Sequence, residues 1–185
     1  MNKLFPVFFY PSVWDIPYND LWAVGVRALV FDVDNTLAPY DVPLPEERIL
    51  TLFRGLANQG FRLCLLSNNK SRRVELFGEQ LGALVVPGAK KPGTKAALSA
   101  CQQMEVTPGE AALIGDQIFT DILCANNCGM VSILVEPVSD RDEWQVRLKR
   151  IPEKWVLRAC LKRFMIPFGR SGRHYDGEGW HANNH

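Results

Sequence analysis

Short apolar runs alternate with longer amphipathic stretches through the middle of the chain. The apolar runs predict parallel strands at 28–31, 61–66, 83–86, 111–115 and 131–135. The stretches between them have helical spacing and predict helices at 46–59, 71–81, 94–104 and 119–128. Repeated strand–helix–strand units build a parallel sheet through right-handed crossovers. The pattern therefore predicts an α/β fold, a three-layer Rossmann-like sandwich around a central parallel sheet of about five strands.

The pattern changes on either side of this core, which is predicted to span residues 28–136. Residues 1–27 form an aromatic N-terminal extension that Pro11 and Pro17 keep irregular, apart from a short helix at 20–25. The extension is expected to pack over the core, with an exposed lid or a membrane-facing edge as the alternative. Residues 137–170 are basic and amphipathic, and the polar tail 171–185 is expected to be disordered.

Composition sets few limits on the partners of this protein. A length of 185 residues suits one domain, and the net charge of +1 indicates no particular partner. No nucleic-acid partner is expected, and the oligomeric state is left open. Five cysteines without C-x-x-C spacing predict reduced thiols in a cytoplasmic protein. The N-terminus lacks the basic region of a signal peptide, and no apolar run reaches the roughly 18 residues of a membrane span.

Two carboxylates follow the first predicted core strand directly. In an extended segment Asp32 and Asp34 point to the same side, whereas Val33 points away. At the carboxyl end of a strand the pair is expected to face solvent and substrate. Carboxylates this close repel each other unless a cation lies between them or one takes a proton. The pair therefore predicts a metal site, a shared proton or both, and a solvated turn is the alternative.

Polar side chains also follow the next three predicted strands. They are, in chain order, Ser67 and Asn68, then Lys90 and Lys91, and then Asp116 and Asp121. Hydroxyl and amide groups at a helix start can donate to a phosphate, although they can equally cap the helix. A lysine can neutralise a bound phosphate, although it can also be a surface charge. Because parallel sheets bind ligands at their carboxyl edge, these residues are candidates for one site.

The four strand ends together resemble a known family. The strings D-V-D-N-T-L, S-N-N, K-P and G-D-x-x-x-x-D occur in the order of the four motifs of the haloacid dehalogenase-like phosphatases. The short connections between these strings leave no space for an inserted cap domain. In this respect the chain is similar to the capless type IIIA branch of the family. The D-V-D-N-T-L and G-D-Q-x-x-T-D strings and the basic C-terminal extension look like the YqeG group, which is related to phosphatidylglycerophosphate phosphatases.

The resemblance implies a role for each candidate residue. Asp32 would attack phosphorus, and Asp34 would act as general acid and then as general base. The phosphoryl group would be held by Ser67, Asn68 and Lys91. Lys90 is the alternative to Lys91.

The resemblance also implies a cofactor. Mg²⁺ would be held by Asp32, Asp116 and the backbone carbonyl of Asp34. Asp121 would support the site by positioning Lys91 or a water molecule on the metal. The implied function is magnesium-dependent phosphomonoester hydrolysis through an aspartyl-phosphate, with phosphatidylglycerophosphate as a candidate substrate. A soluble metabolite, a nucleotide or a phosphoprotein is the alternative substrate, and a non-catalytic phosphate-binding scaffold is the alternative class.

A basic segment at 144–170 suggests a further partner. It contains eight basic residues and one acidic residue, Glu153, and it therefore carries a charge of +7. Plotted as a helix from Glu153, it has one apolar face flanked by lysines, arginines and Trp155. Such a helix favours peripheral contact with an anionic membrane. Docking of the apolar face onto the core is the alternative.

Overall fold

A computed structural model describes residues 3–139, 173–175 and 180–182. Six parallel strands form one sheet in the order β1-β6-β5-β2-β3-β4. The strands are β1 Phe8–Tyr10, β2 Ala28–Phe31, β3 Arg62–Leu66, β4 Leu84–Val86, β5 Ala111–Gly115 and β6 Val131–Val135. The helices are α1 Tyr18–Ala23, α2 Glu47–Asn58, α3 Arg72–Leu81, α4 Lys95–Gln103 and α5 Leu123–Cys128. Short 3₁₀ turns occupy Val13–Asp15 and Pro108–Glu110.

The structure confirms the predicted α/β class, and the five predicted strands appear within one residue of their expected bounds. Three of the four predicted core helices are equally close. The fourth differs, because a π-helical turn at Ile118–Ile122 precedes α5. Gly82 and Gly129 end α3 and α5 in left-handed conformations, which glycine adopts without strain.

The N-terminal segment contributes a sixth strand, so the expectation that it is irregular was wrong at Phe8–Tyr10. Phe8, Phe9 and Tyr10 pair in parallel with Ile133, Leu134 and Val135 of β6. Prolines flank this short strand but do not interrupt it, and as an edge strand it pairs with β6 alone among the strands of the sheet. The predicted short helix is present as α1, two residues earlier than expected.

Alternate residues of the central strand face two different helical layers. Leu29 and Phe31 pack against α1, α2 and α3, where Phe31 and Phe53 lie 5.0 Å apart between ring centroids. Ala28 and Val30 pack against α4 and α5, whose buried residues are mostly small. Both faces are fully buried, as a parallel sheet covered by helices requires. This packing holds the strand ends that carry the candidate site.

The C-terminal predictions are tested only in part. Residues 144–170 lie outside the described part of the chain. Arg173–Tyr175 and Trp180–Ala182 pair as antiparallel strands β7 and β8, so the expected disorder of the tail was wrong for these six residues. Cys64, Cys101, Cys124 and Cys128 are free thiols, as predicted. Among the described helices, none is long and apolar enough to cross a membrane.

Candidate active site

The candidate residues meet because β2, β3 and β5 lie side by side in the middle of the sheet. Phe31 at the end of β2 is opposite Leu65 of β3 and Ile114 of β5. The residues that follow these strands therefore emerge at one edge, as predicted. Asp32 and Asp34 are each only 6% exposed, so the expectation that the pair faces open solvent was wrong. Positively charged partners lower the free-energy cost of burying these carboxylates.

Lys91 is the first of these cations. Its Nζ atom lies 2.5 Å from Asp32 Oδ1 and 2.7 Å from Asp121 Oδ1. Lys90 is instead exposed and has a positive φ of 58°. The structure therefore brings Lys91, and not Lys90, into contact with the strand-end carboxylates.

Burial and charge shift the proton equilibria of this pair. Burial raises the pKa of Asp32 to about 7, while Lys91 opposes this rise and the nearby Asp121 adds to it. Burial alone lowers the pKa of Lys91, but Asp121 and Asp32 outweigh that effect and raise it. Lys91 therefore remains an ammonium group at neutral pH. It supplies a fixed positive charge beside the carboxylate of Asp32.

Asp121 is held in place by the π-helical turn. The backbone N–H of Gln117 donates to Asp121 Oδ2 at 3.1 Å, and Asp121 N–H donates to the carbonyl of Gln117 at 2.9 Å. Gly115 makes room for the carboxyl group, because a Cβ atom at Gly115 would overlap the Asp121 side chain. The unusual turn and the glycine together aim Asp121 at Lys91.

Asp34 has a cationic partner that the sequence analysis missed. Arg73 Nη1 donates to Asp34 Oδ1 at 2.5 Å, and Asn69 Nδ2 donates to Oδ2 at 3.4 Å. Arg73 also donates to the carbonyls of Pro39, at 2.8 Å, and Val42. A basic residue in the first turn of α3 opposes the helix dipole, and this was the available signal that it pairs with a carboxylate.

The loop after β3 is tied to the loop that carries Lys91. Ser67 is 1% exposed, and its Oγ accepts a hydrogen bond from the Asn69 N–H at 3.1 Å. Asn68 Oδ1 accepts from the Lys91 N–H at 2.6 Å, and Asn68 Nδ2 donates to the Lys91 carbonyl at 3.1 Å. The Asn68 side chain is therefore committed to the Lys91 backbone, and its predicted contact with phosphate would have to come from its own backbone.

A cavity of about 260 Å³ lies over these residues. Its lining contains Asp32, Asp34, Ser67, Asn68, Lys91 and Asp121, together with Tyr40, Asn69, Gln117 and Thr120. Asn69, Gln117 and Thr120 belong to the S-N-N and G-D-Q-x-x-T-D strings but were given no role, and no motif or periodicity distinguishes Tyr40. A larger groove of about 520 Å³ lies between α1 and α2, but it contains none of the strand-end carboxylates.

Three carboxylates form a cluster that suits a metal ion. Oxygens of Asp32, Asp116 and Asp121 lie within 4.8 Å of one another. Thr36 Oγ1 donates to Asp116 Oδ1 at 3.2 Å. Hard oxygen ligands of this kind fit Mg²⁺. The cluster contains the predicted Asp32 and Asp116, and its third member is Asp121, which was predicted as a supporting residue.

Comparison with known proteins agrees with this arrangement. The profile of the HAD-hydrolase-like family matches residues 88–157. The chain is 36% identical to the probable phosphatase YqeG of Bacillus subtilis, over 88% of this chain and 95% of that protein. It is 31% identical to the chloroplastic phosphatidylglycerophosphate phosphatase 1 of Chlamydomonas reinhardtii, over 80% of this chain and 59% of that protein. The cobalt-bound deoxy-D-mannose-octulosonate 8-phosphate phosphatase of Haemophilus influenzae shares the fold, with a TM-score of 0.51 at 17% identity over 75% and 88% of the two chains.

The parallel sheet with strand-end carboxylates defines a HAD-like hydrolase, which confirms the predicted superfamily. With 36% identity across nearly the whole of a relative, the chain belongs to the YqeG family of HAD-like phosphatases. The connections at 32–46 and 67–71 are fully described and contain no cap domain. The prediction of the capless branch is therefore confirmed, and the protein is a phosphatase.

Proposed function

We propose that this phosphatase uses Asp32 as its nucleophile, works with Mg²⁺ and hydrolyses a phosphorylated lipid headgroup, with phosphatidylglycerophosphate as the substrate. The observation that carries the catalytic part is the placement of Asp32, whose carboxylate lies 2.5 Å from a buried lysine at the floor of the cavity. A buried ammonium next to a carboxylate provides positive charge for an incoming phosphate.

In the first step Asp32 attacks phosphorus while the bond to the leaving oxygen breaks, and an aspartyl-phosphate forms. Asp34 donates a proton to the leaving oxygen. In the second step water attacks the aspartyl-phosphate, Asp34 takes the proton from that water, and Asp32 is regenerated with release of phosphate. Arg73 and Asn69 hold the Asp34 carboxyl group in a fixed position for both steps.

The oxygens of the transferred phosphoryl group need hydrogen-bond donors around them. Ser67 and Lys91 supply a hydroxyl and an ammonium group at the cavity lining. Asn68 fixes the backbone of Lys91, and Asp121 fixes its side chain. The four residues thus form one unit that orients the phosphoryl group over Asp32.

Asp32 and Asp116 would hold Mg²⁺, with either the Asp34 carbonyl or Asp121 completing the protein ligands. The ion would offset the charge of the carboxylates and of the substrate dianion. Asp121 is the weaker candidate, since both of its oxygens already have partners in Lys91 and Gln117.

The lipid substrate is supported by two observations. A relative that is 31% identical carries the name phosphatidylglycerophosphate phosphatase, although this chain spans only 59% of its length. Within the described part of the chain, no cap domain lies over the crevice, so a headgroup that projects from a membrane can reach Asp32 without a closing movement.

A phosphate-release screen with Mg²⁺ tests the proposal. The substrates are phosphatidylglycerophosphate in uncharged detergent micelles, a soluble aryl phosphate, a sugar phosphate, a nucleotide and a phosphopeptide. We expect the highest kcat/KM for the lipid. A higher value for a soluble substrate would replace the lipid assignment. An absence of phosphate release from every substrate would favour a non-catalytic phosphate-binding scaffold.

A further inference from the structure

Three exposed basic side chains lie on, or directly after, the two loops that carry Ser67 and Lys91. Lys70 and Arg72 follow the end of β3, and Lys90 follows the end of β4. None of the three forms an ion pair with another residue of the described part of the chain. Lys70, Arg72 and Lys90 are called the cationic rim below.

The two loops of the cationic rim are joined into one edge of the crevice. The Gly88 N–H donates to the Asn69 carbonyl at 3.1 Å, and the Ala89 N–H donates to the Ser67 carbonyl at 2.9 Å. The Lys70 side chain packs across Gly88, where an added Cβ would lie only 2.7 Å from Lys70 Cε. The φ of Gly88 is +63°, a left-handed conformation that glycine adopts without strain.

Few acidic residues lie near this edge in the sequence, and the nearest is Glu75, three residues after Arg72 in the first turn of α3. Residues 62–74 and 80–104 contain neither Asp nor Glu. The loop after β2 differs, because Asp41 and Glu46 are exposed there. The mouth of the crevice therefore carries more positive charge on the side formed by the loops after β3 and β4 than on the side formed by the loop after β2.

A lipid substrate determines which face of the enzyme meets the bilayer. The headgroup phosphate remains at the membrane surface, whereas Asp32 lies 6% exposed at the floor of the cavity. The residues around the cavity mouth must therefore approach the lipid headgroups. A positive edge fits a surface of anionic lipids, to which basic residues are attracted within about one Debye length.

We propose that the cationic rim docks the crevice on the anionic bilayer that holds the substrate. The inference rests on the proposed lipid substrate, and it adds a docking surface on the core itself. Its residues are not part of the basic segment 144–170. The loop after β2 tilts away from the membrane, because its exposed carboxylates are repelled by anionic headgroups.

The test compares the full chain with two variants that each lose three positive charges. The rim variant is Lys70→Gln, Arg72→Gln and Lys90→Gln. The control variant is Lys3→Gln, Arg54→Gln and Arg62→Gln. The control positions lie before β1, in the second half of α2 and at the start of β3, all away from the carboxyl edge of the sheet. Equal melting temperatures establish that both variants fold.

Sedimentation with vesicles that contain phosphatidylglycerol measures docking. We expect the rim variant to bind about a hundredfold more weakly than the parent, since each basic residue near an anionic surface contributes roughly a fivefold factor. We expect little change for the control variant and no sedimentation with uncharged phosphatidylcholine vesicles. Equal binding by the two variants would overturn the proposal.

Activity in uncharged detergent micelles separates the docking surface from the proposed function. If the parent hydrolyses phosphatidylglycerophosphate in micelles but the rim variant sediments like the control, the docking surface is wrong and the lipid substrate stands. If the parent sediments through its rim but releases no phosphate from the lipid in micelles, the lipid substrate is wrong and the docking surface stands.

Discussion

Asp32 gives the most direct test at the scale of single residues. Asp32→Asn keeps the side-chain volume but replaces the nucleophile with a neutral amide, so we expect phosphate release to fall by several orders of magnitude. The fold should persist, because Lys91 retains its ion pair with Asp121. Asp41→Asn, which changes an exposed carboxylate on the loop after β2, serves as the control. Near-parental turnover by Asp32→Asn would remove Asp32 from its proposed role.

Arg73 is expected to act through Asp34. Arg73→Ala removes the partner of Asp34 Oδ1 and frees the carbonyls of Pro39 and Val42. We expect kcat/KM to fall about 10- to 100-fold for an alkyl phosphate and less for an aryl phosphate, because a good leaving group needs less proton donation in the first step. Arg73→Lys should recover only part of the loss, since an ammonium group cannot bridge three acceptors with the geometry of a guanidinium.

The comparison of the two substrates distinguishes this role from a structural one. A merely structural arginine would lower the melting temperature and reduce both activities by the same factor. Equal losses in kcat/KM for alkyl and aryl phosphates would therefore contradict the link between Arg73 and Asp34.

The site residues that could be predicted from the sequence are those that directly follow a strand, because the strand determines where they lie. Asp32, Ser67 and Asp116 each follow a buried strand, so the parallel sheet alone brings them to one edge. Arg73 and Tyr40 reach the site through contacts between a loop and a helix. Such contacts depend on tertiary packing, and no spacing rule in the sequence encodes them.

At the scale of elements, the junction of β5 and the π-helical turn is a sensitive point. Gly115→Ala places a methyl group against the Asp121 carboxyl group. We expect the free energy of unfolding to fall by about 1–3 kcal/mol, as for other overpacked sites. We also expect kcat to fall, because Asp121 can no longer hold Lys91 at 2.7 Å. Urea unfolding and steady-state kinetics measure the two effects.

Gly55→Ala in α2 is the matched control for this prediction. A Cβ atom at Gly55 would meet nothing within 4 Å, and the residue lies inside a regular helix. Alanine there should stabilise the protein by roughly 0.5–1 kcal/mol without changing kcat. An equal effect of the two substitutions would show that the Gly115 contact is unimportant.

Two elements differ from prediction for physical reasons that operate beyond local sequence. Phe8–Tyr10 is a three-residue strand between Pro6 and Pro11, and its strand conformation depends on pairing with β6 across more than 120 residues of chain. The π-helical turn at Ile118–Ile122 depends on contacts between Asp121 and Gln117. Periodicity detects regular elements, whereas these two are determined by long-range pairing and by site geometry.

At the scale of the whole molecule, the fold concentrates negative charge at one edge of the sheet. Asp32, Asp34, Asp116 and Asp121 are all buried there, with Lys91 and Arg73 as their cationic partners. Four carboxylates against two cations leave an excess of −2 when all are ionised. Such an excess in a buried site destabilises the folded state unless protons or a cation bind.

Magnesium should therefore stabilise the protein, and more strongly above pH 7 than below it. In the metal-free folded protein the pKa of Asp32 is raised from 3.8 to about 7. A raised carboxyl pKa means that the folded state binds this proton more tightly than the unfolded chain does. Its stabilising contribution is complete below pH 3.8 and is lost as the pH rises through about 7.

Below pH 7 the ion must displace the proton on Asp32, whereas above pH 7 it binds a carboxylate that is already ionised. At about a hundred times its Kd, magnesium should add roughly 2.7 kcal/mol above pH 7, or a rise in Tm of about 5–10 °C. Thermal unfolding with magnesium and with EDTA, on both sides of pH 7, measures the effect. Asp32→Asn, which cannot titrate, should show a smaller shift that does not vary with pH. A parental shift that is the same on both sides of pH 7 would contradict competition between the proton and the metal at Asp32.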